Sequence, residues 1–390
     1  MESVLRQAVP LLAYRGIIVL SLVLASCGQA PAAPMPVSPA ASTTVPTIVP
    51  QLPPVQVDEL DLTVEGSPFR FVGANAIYFG FYEEYGLSIE EAIQSAKENG
   101  ISVLRIYIGF GRDPWGGRPY EEYDKALDIA AQNGMYVIAT LTDCCCMGGD
   151  WGQTSDTYYS HVPFCDMANA TGLASYKEYI KSVLLRRNTV NGKIYRDDTT
   201  ILAWDVANEP ALQIVTDVDL HAWLLEVTSY IKTLDAKHLV TIGIDASRSL
   251  YDSGGPHYEA LNVPGLDFFS FHHNLPNYSK VPQQLDQIAF RTRQFTAMGK
   301  PVVLEEFGIG SQRVLGQNAK KSTLESWVLA YKDQMDMAFA AGASGVMFWG
   351  WGVPETRTVP LWWKLEDHDI TETEFCALIR EYQIPTFAQP

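Results

Sequence analysis

Residues 101–141, ISVLRIYIGFGRDPWGGRPYEEYDKALDIAAQNGMYVIATL, decide the fold. SVLRIYIG is a short apolar run of strand length, YEEYDKALDIAAQNG spaces its apolar residues helically and stops at Gly134, and MYVIATL is apolar again. Strand, helix and strand in that order form the unit of a parallel sheet, because parallel neighbours need a long crossover between them.

The unit repeats in both directions. Upstream, FRFVGANAI (69–77) is a strand and SIEEAIQSAKEN (88–99) a helix. Downstream, LASYKEYIKSVLLRR, VDLHAWLLEVTSYIKTLD, QLDQIAFRTRQFTAMG and LESWVLAYKDQMDMAFAAG have helical spacing, while TILAWDVA, HLVTIGI, GLDFFSFH, PVVLEEFG and SGVMFWGW are strands. Eight strands alternating with helices predict an α/β fold, a closed (β/α)8 TIM barrel. A doubly wound sheet is the rival, but GANAIYFG after the first strand lacks the glycine spacing of a dinucleotide loop. Periodicity is weakest between Gly243 and Leu266.

Polar and aromatic residues gather at the strand ends: Asn75 after the first, Asn208 and Glu209 at the fourth, His272 at the sixth, Glu305 and Glu306 at the seventh, Trp349 at the eighth. A barrel builds its site on that face, and unpaired carboxylates are poor core residues. Glycosidic cleavage needs one carboxylic acid to protonate the leaving oxygen and one carboxylate to attack or to activate water. Glu209 is expected to be the acid, with the raised pKa, and Glu306 the nucleophile; a separation of about 5–5.5 Å would make the reaction retaining.

The flanks speak to location. Arg6 and Arg15 precede the apolar run GIIVLSLVLA, which ends at LASC, so residues 1–27 have the layout of a secretory signal, and the small residues before Cys27 resemble a bacterial lipobox, with Cys27 as the lipidated residue. An uncleaved anchor is the alternative, and both place the rest outside the cytoplasm, as a lipoprotein at the membrane or cell surface or else secreted. Residues 28–56, rich in Pro, Ala, Ser and Thr, are a tether, and the catalytic domain spans 57–390. An oxidising compartment permits a disulfide, expected between Cys165 and one of Cys144, Cys145 and Cys146; the spacing around the triplet does not suit zinc, and no metal or other cofactor is expected. A net charge of −17 at pH 7 argues against nucleic acid or an anionic surface as partner and suits a neutral β-linked polysaccharide or oligosaccharide, bound by a monomer.

ILAWDVANEP (201–210) and PVVLEEFG (301–308) resemble the acid/base and nucleophile signatures of glycoside hydrolase family 5, and RRNTVNGKIYRDDTTILAWDVANEP (186–210) is similar to the corresponding region of its endo-β-1,4-mannanases. The similarity runs with gaps from FVGANAIY to FWGW. It implies a retaining endo-β-1,4-mannanase acting on mannan, glucomannan or galactomannan; an endo-β-1,4-glucanase or an exo-acting enzyme on β-linked oligosaccharides is the alternative.

The resemblance makes Glu209 the acid/base and Glu306, the second glutamate of EEFG, the nucleophile; Glu305, on the other strand face, would pair with a base behind the strand. It makes Arg105 a support for the nucleophile, Asn208 a contact to the sugar hydroxyl beside the reacting carbon, His272 an orienter of the acid/base or a sugar ligand, and Trp349 a sugar platform. Trp351 is either a second platform or core, and Trp115 and Trp151 are candidates for outer subsites. Mannanases carry a nucleophile-supporting tyrosine two residues after the histidine; here Asn274 stands there, with Tyr278 as a substitute candidate. The loops GIDASRSLYDSGGPHYEA and CCCMGGDWG also depart from the mannanase pattern, which puts the substrate in question more than the chemistry.

Overall fold

The computed structural model describes residues 51–76, 88–108, 120–144, 170–210, 216–246, 258–275, 281–309, 324–351, 372–382 and 384. The signal with Cys27, residues 28–50 of the tether, and Trp115, Cys145, Cys146, Trp151, Cys165 and Tyr278 lie outside them.

Eight parallel strands close into one barrel: β4 (Phe71–Asn75), β5 (Val103–Tyr107), β6 (Tyr136–Thr140), β7 (Ile201–Asn208), β8 (Leu239–Asp245), β9 (Phe269–Leu275), β10 (Val302–Ile309) and β11 (Gly345–Phe348), with β11 pairing back onto β4. All eight expected strands are present. Outside them run α1 (Ile89–Glu98), α2 (Tyr120–Gln132), α3 (Ala170–Leu184), α4 (Asp217–Leu234), α5 (Val281–Thr296), α6 (Leu324–Ala340) and α7 (Glu372–Glu381). Between β8 and β9, where periodicity is weak, the described residues contain one 3-10 turn, Tyr258–Leu261, and no α-helix. Helix starts obey local chemistry: Ser88 Oγ accepts the Glu91 N–H and Thr216 Oγ1 accepts the Asp219 N–H, each filling a donor that the first turn leaves open.

Three short antiparallel strands that the sequence reading did not foresee precede the barrel: β1 (Val55–Asp58), β2 (Asp61–Val64) and β3 (Ser67–Pro68). Val55 and Leu62 join Phe71, Val103, Ile138, Ala203, Phe268, Val303 and Met347 in an apolar cluster. The stretch before β1 is also tied down, with Tyr136 Oη donating to the Pro53 carbonyl at 2.7 Å and Thr199 Oγ1 to that of Leu52. Leu52, Pro53 and Val55, within the stretch read as tether, thus pack against the catalytic domain.

Alternation along the strands sorts the barrel into layers. Val103, Ile138, Ala203 and Val303 belong to the apolar cluster, and two residues further on stand Arg105, Thr140, Asp205 and Glu305, all fully buried. Successive inward side chains thus change from hydrocarbon to charge toward the C-terminal ends of the strands.

Candidate active site

Arg105 is the hub of this layer. Its Nη2 donates to Asp205 Oδ2 at 2.6 Å and Asn208 Oδ1 at 2.9 Å, Nη1 to Asn75 Oδ1 at 3.1 Å and Tyr107 Oη at 2.9 Å, and Nε to Asp205 Oδ2 at 3.2 Å. Glu305 Oε2 and Glu306 Oε2 lie 3.5 and 3.6 Å from the guanidinium. Burial alone would lower its pKa, but Glu305, Tyr107, Asp205 and Glu306 keep it firmly protonated. Asp205 is pushed up to about 6 by burial and by the charge of Glu305, with Arg105 pulling the other way.

Both glutamates of EEFG belong to this cluster, which corrects the expectation that Glu305 faces a base behind the strand. Val303 and Glu305 share the inward phase of β10, and the pairing register shifts between Leu304 and Glu306 against β9 and between Leu304 and Phe307 against β11. Such an irregularity breaks strict alternation and re-aims the next side chain, so Glu306 reaches the mouth while Glu305 sits within the barrel. Asn75 clips the irregular segment, its Nδ2 donating to the carbonyls of Glu305 at 2.9 Å and Phe348 at 3.2 Å. Asn75 is fully buried and supports the site from within.

Across the mouth, Glu209 follows β7 with φ of 44°, a left-handed conformation that costs a non-glycine residue energy and is concentrated at functional positions. Its N–H donates to the Gly243 carbonyl at 2.8 Å. His272 Nδ1 lies 2.7 Å from Glu209 Oε1 and 3.4 Å from Glu306 Oε2, and its Nε2 lies 3.3 Å from Glu305 Oε2. One oxygen each of Glu209 and Glu306 and a ring nitrogen of His272 lie within 4.8 Å of one another. Three such ligands at that spacing would fit a cation, but carboxylates face both ring nitrogens, which favours a protonated, donating imidazole over a metal ligand. Burial opposes protonation of His272, yet Glu306, Glu209 and Glu305 together raise its pKa to about 10.

Burial pushes the Glu306 carboxyl up to about 7, assisted by the charge of Glu209 and opposed by His272, Arg105 and the Asn274 amide. The Glu306 side chain is 7% exposed against 18% for Glu209, so desolvation falls harder on Glu306. Asn274 Nδ2 donates to Glu306 Oε1 at 2.6 Å, so the residue at the tyrosine position itself supplies a donor to this carboxylate.

Asn208 is gripped from two sides: its Oδ1 accepts from Arg105, and its Nδ2 donates to Asp143 Oδ1 at 2.9 Å. The next residue, Cys144, is buried and disulfide-bonded, and its N–H donates to the Asn208 carbonyl at 2.8 Å, which ties the start of the cysteine loop to the end of β7. Trp349 follows β11 half-buried, its N–H donating to the Phe307 carbonyl at 2.9 Å. Trp351 resolves toward core: it is 6% exposed, packs edge-on against Phe348, and donates its indole N–H to the Ala92 carbonyl on α1 at 2.9 Å.

The structure thus brings Asn75, Arg105, Asn208, Glu209, His272 and Glu306 into one network and adds Tyr107, Thr140, Asp205, Ser270, Asn274 and Glu305, which the sequence reading did not place there. Their signal is the phase of the strands: Tyr107, Thr140, Asp205 and Ser270 stand at inward positions of otherwise apolar runs.

Two facing carboxylates at the C-terminal mouth of an eight-stranded barrel are the arrangement of a glycoside hydrolase. A family model described as GH family 5 beta-mannosidase-like matches residues 150–372, more than half of the sequence. The chain belongs to glycoside hydrolase family 5 and is a retaining glycosidase acting on β-linked glycans. It is 28% identical over 311 residues to a probable mannan endo-1,4-beta-mannosidase C of Aspergillus terreus, covering 65% of this chain and 72% of that one. Mannan endo-1,4-beta-mannosidase 1 of Oryza sativa subsp. japonica is 28% identical over 343 residues, covering 75% and 76%. The endo-beta-1,4-mannanase of Thermotoga petrophila superposes with a TM-score of 0.63 at 25% identity, covering 81% of this chain and 76% of that structure.

Proposed function

We propose that this chain is a retaining endo-β-1,4-mannanase acting on mannan, glucomannan or galactomannan, with Glu209 as acid/base and Glu306 as nucleophile. The observation that carries the reading is the approach of the two carboxylates, one oxygen of each within 4.8 Å of the other, which suits direct attack and leaves too little room for an intervening water. Asn274 and Arg105 favour the charged, attacking form of Glu306. In the first step Glu306 bonds to the anomeric carbon as the glycosidic C–O bond breaks, and Glu209 gives its proton to the departing oxygen. In the second, water attacks that carbon and passes a proton to Glu209 as the bond to Glu306 breaks. Asn208 is suited to the neighbouring sugar hydroxyl and Trp349 to the apolar ring face. Trp115 and Trp151 are kept as outer subsite candidates, and Tyr278 as a further neighbour of the nucleophile. Export through residues 1–27, with a lipid on Cys27, would put the enzyme where polymers are met.

Substrate class rests on the named relatives. The β-mannosidase-like description of the family model favours a second reading, exo-acting cleavage of short β-mannosides. Products of β-mannan, glucomannan and soluble β-glucan digests decide between them. A ladder of short manno-oligosaccharides from mannan is expected; mannose alone from the first minutes would replace endo by exo action, and products from β-glucan alone would overturn the mannan assignment.

A further inference from the structure

Glu305 is fully buried on β10 and holds a place that barrel stability does not account for, since buried charge pairs gain little over apolar packing. Its Oε2 accepts from Ser270 Oγ at 2.9 Å, faces His272 Nε2 at 3.3 Å and lies 3.5 Å from Arg105 Nε. The surrounding strands leave space for this meeting. A Cβ on Gly243 of β8 would stand 2.7 Å from Glu305 Oε2, 2.7 Å from His272 Nε2 and 2.8 Å from Arg105 Nη2, so a side chain there would enter the middle of the network. At its other nitrogen, Nδ1, the ring meets Glu209 Oε1 at 2.7 Å and Glu306 Oε2 at 3.4 Å.

A neutral imidazole donates from one nitrogen and presents a lone pair at the other, which here would face a carboxylate oxygen. With ionised carboxylates on both sides, both contacts are attractive when both nitrogens carry protons. We propose that Glu305 is a positioning residue for the acid/base: it anchors the His272 ring as an imidazolium whose Nδ1–H holds Glu209 Oε1, so that the proton delivered to substrate rides on Glu209 Oε2. The inference rests on the assignment of Glu209 as acid/base. Oε1 accepts from Nδ1–H whether Glu209 is acid or carboxylate, so the ring need not turn or exchange protons during turnover. As Oε2 loses its proton to the leaving oxygen, the charge that develops on Glu209 meets a positive ring already in place. The charge of Glu305 balances that ring, and the elevated pKa of His272 agrees.

The test uses the full chain labelled with 15N-histidine, together with aryl β-mannobiosides and aryl β-cellobiosides of graded leaving-group acidity. His272 of the wild type should be protonated on both nitrogens at pH 7; a neutral ring there overturns the proposal before any variant is made. In Glu305→Gln the ring should become neutral at pH 7, and kcat/KM should fall about 100-fold for poor leaving groups and little for activated ones. Glu305→Asp, which keeps the charge, should restore the imidazolium and part of the rate. Equal losses on all leaving groups, or an unchanged ring in Glu305→Gln, would sink the proposal. Glu209→Gln separates the two claims: if it shows the steep leaving-group dependence and Glu305→Gln does not, the role of Glu305 alone is wrong. If Glu209→Gln does not show it, the acid/base assignment falls and takes this proposal with it.

Discussion

Asp124 and Glu306 are both buried carboxylates near an arginine, and their electrostatics run in opposite directions. Asp124, on α2, accepts from Arg186 Nε at 3.0 Å and Nη2 at 2.5 Å, from Tyr195 Oη at 2.7 Å, and from the Thr189 N–H and Oγ1 at 3.1 and 2.8 Å. Burial alone would raise its pKa, yet these donors hold it below the usual carboxylate range. Among the described residues Glu306 takes one short hydrogen bond, from Asn274, sees its arginine at 3.6 Å and shares the mouth with Glu209, and burial pushes it up to about 7. A saturated carboxylate has no reason to exchange a proton or attack carbon. An under-saturated one, on an irregular strand and opposite a residue with a left-handed backbone, has both. The motif RRNTVNGKIYRDD therefore divides from the NEP that follows it: Arg186, Asn188, Thr189 and Tyr195 build the knot around Asp124, which is scaffold, whereas Asn208 and Glu209 belong to the site.

Three substitutions would break or sharpen this contrast. The largest effect is expected for Glu306→Ala, where turnover of a natural glycan should fall about 10,000-fold or more because the proposed nucleophile has been removed. Its melting temperature should hold or rise, since a carboxylate penalised by burial has gone. Near-normal release of reducing sugar by the purified variant would end the assignment. Asp124→Asn should behave in the opposite way, losing about 3 kcal/mol of stability in denaturant melts while kcat/KM per folded molecule stays unchanged. The pKa of Asp124 is lower in the folded state, so its stabilisation is present above the unfolded carboxyl pKa and is lost as pH falls through the folded value. The stability gap between variant and wild type should accordingly close in acid, and a gap independent of pH would contradict the account.

The smallest effect belongs to Asn274→Ala. The proposed nucleophilic role needs Glu306 ionised, so activity should be lost as pH falls through the apparent value of about 7 set by the coupled mouth carboxylates. Removing a donor to the ionised form should move this acid limb to higher pH and lower kcat/KM at pH 6 about tenfold, with little change on the alkaline side. An acid limb that stays in place would show that the 2.6 Å hydrogen bond does not tune the nucleophile.

Much of this was legible in the chain because it is local. Strand length, helical spacing and the Gly134 stop are properties of a few consecutive residues, and all eight barrel strands follow from them. Glu209 and Glu306 were legible for the same reason, as polar residues closing apolar runs. The three-stranded sheet β1–β3 is not legible because runs of two to four residues, such as VQVD and DLTV, are too short to establish a period. Sequence leaves Trp351 between two roles because an indole suits either; the Ala92 carbonyl, on a helix far upstream, decides it.

By itself the sequence determined a (β/α)8 barrel, the polar rim at its C-terminal face and the two glutamates proposed to carry the chemistry. Tertiary structure decided where Glu305 points, that Asn274 donates to Glu306, and that burial raises the Glu306 carboxyl. Each of these depends on pairing register, burial and charges from strands distant in sequence, and alternation along one strand cannot anticipate a register shift that exists only against its neighbours.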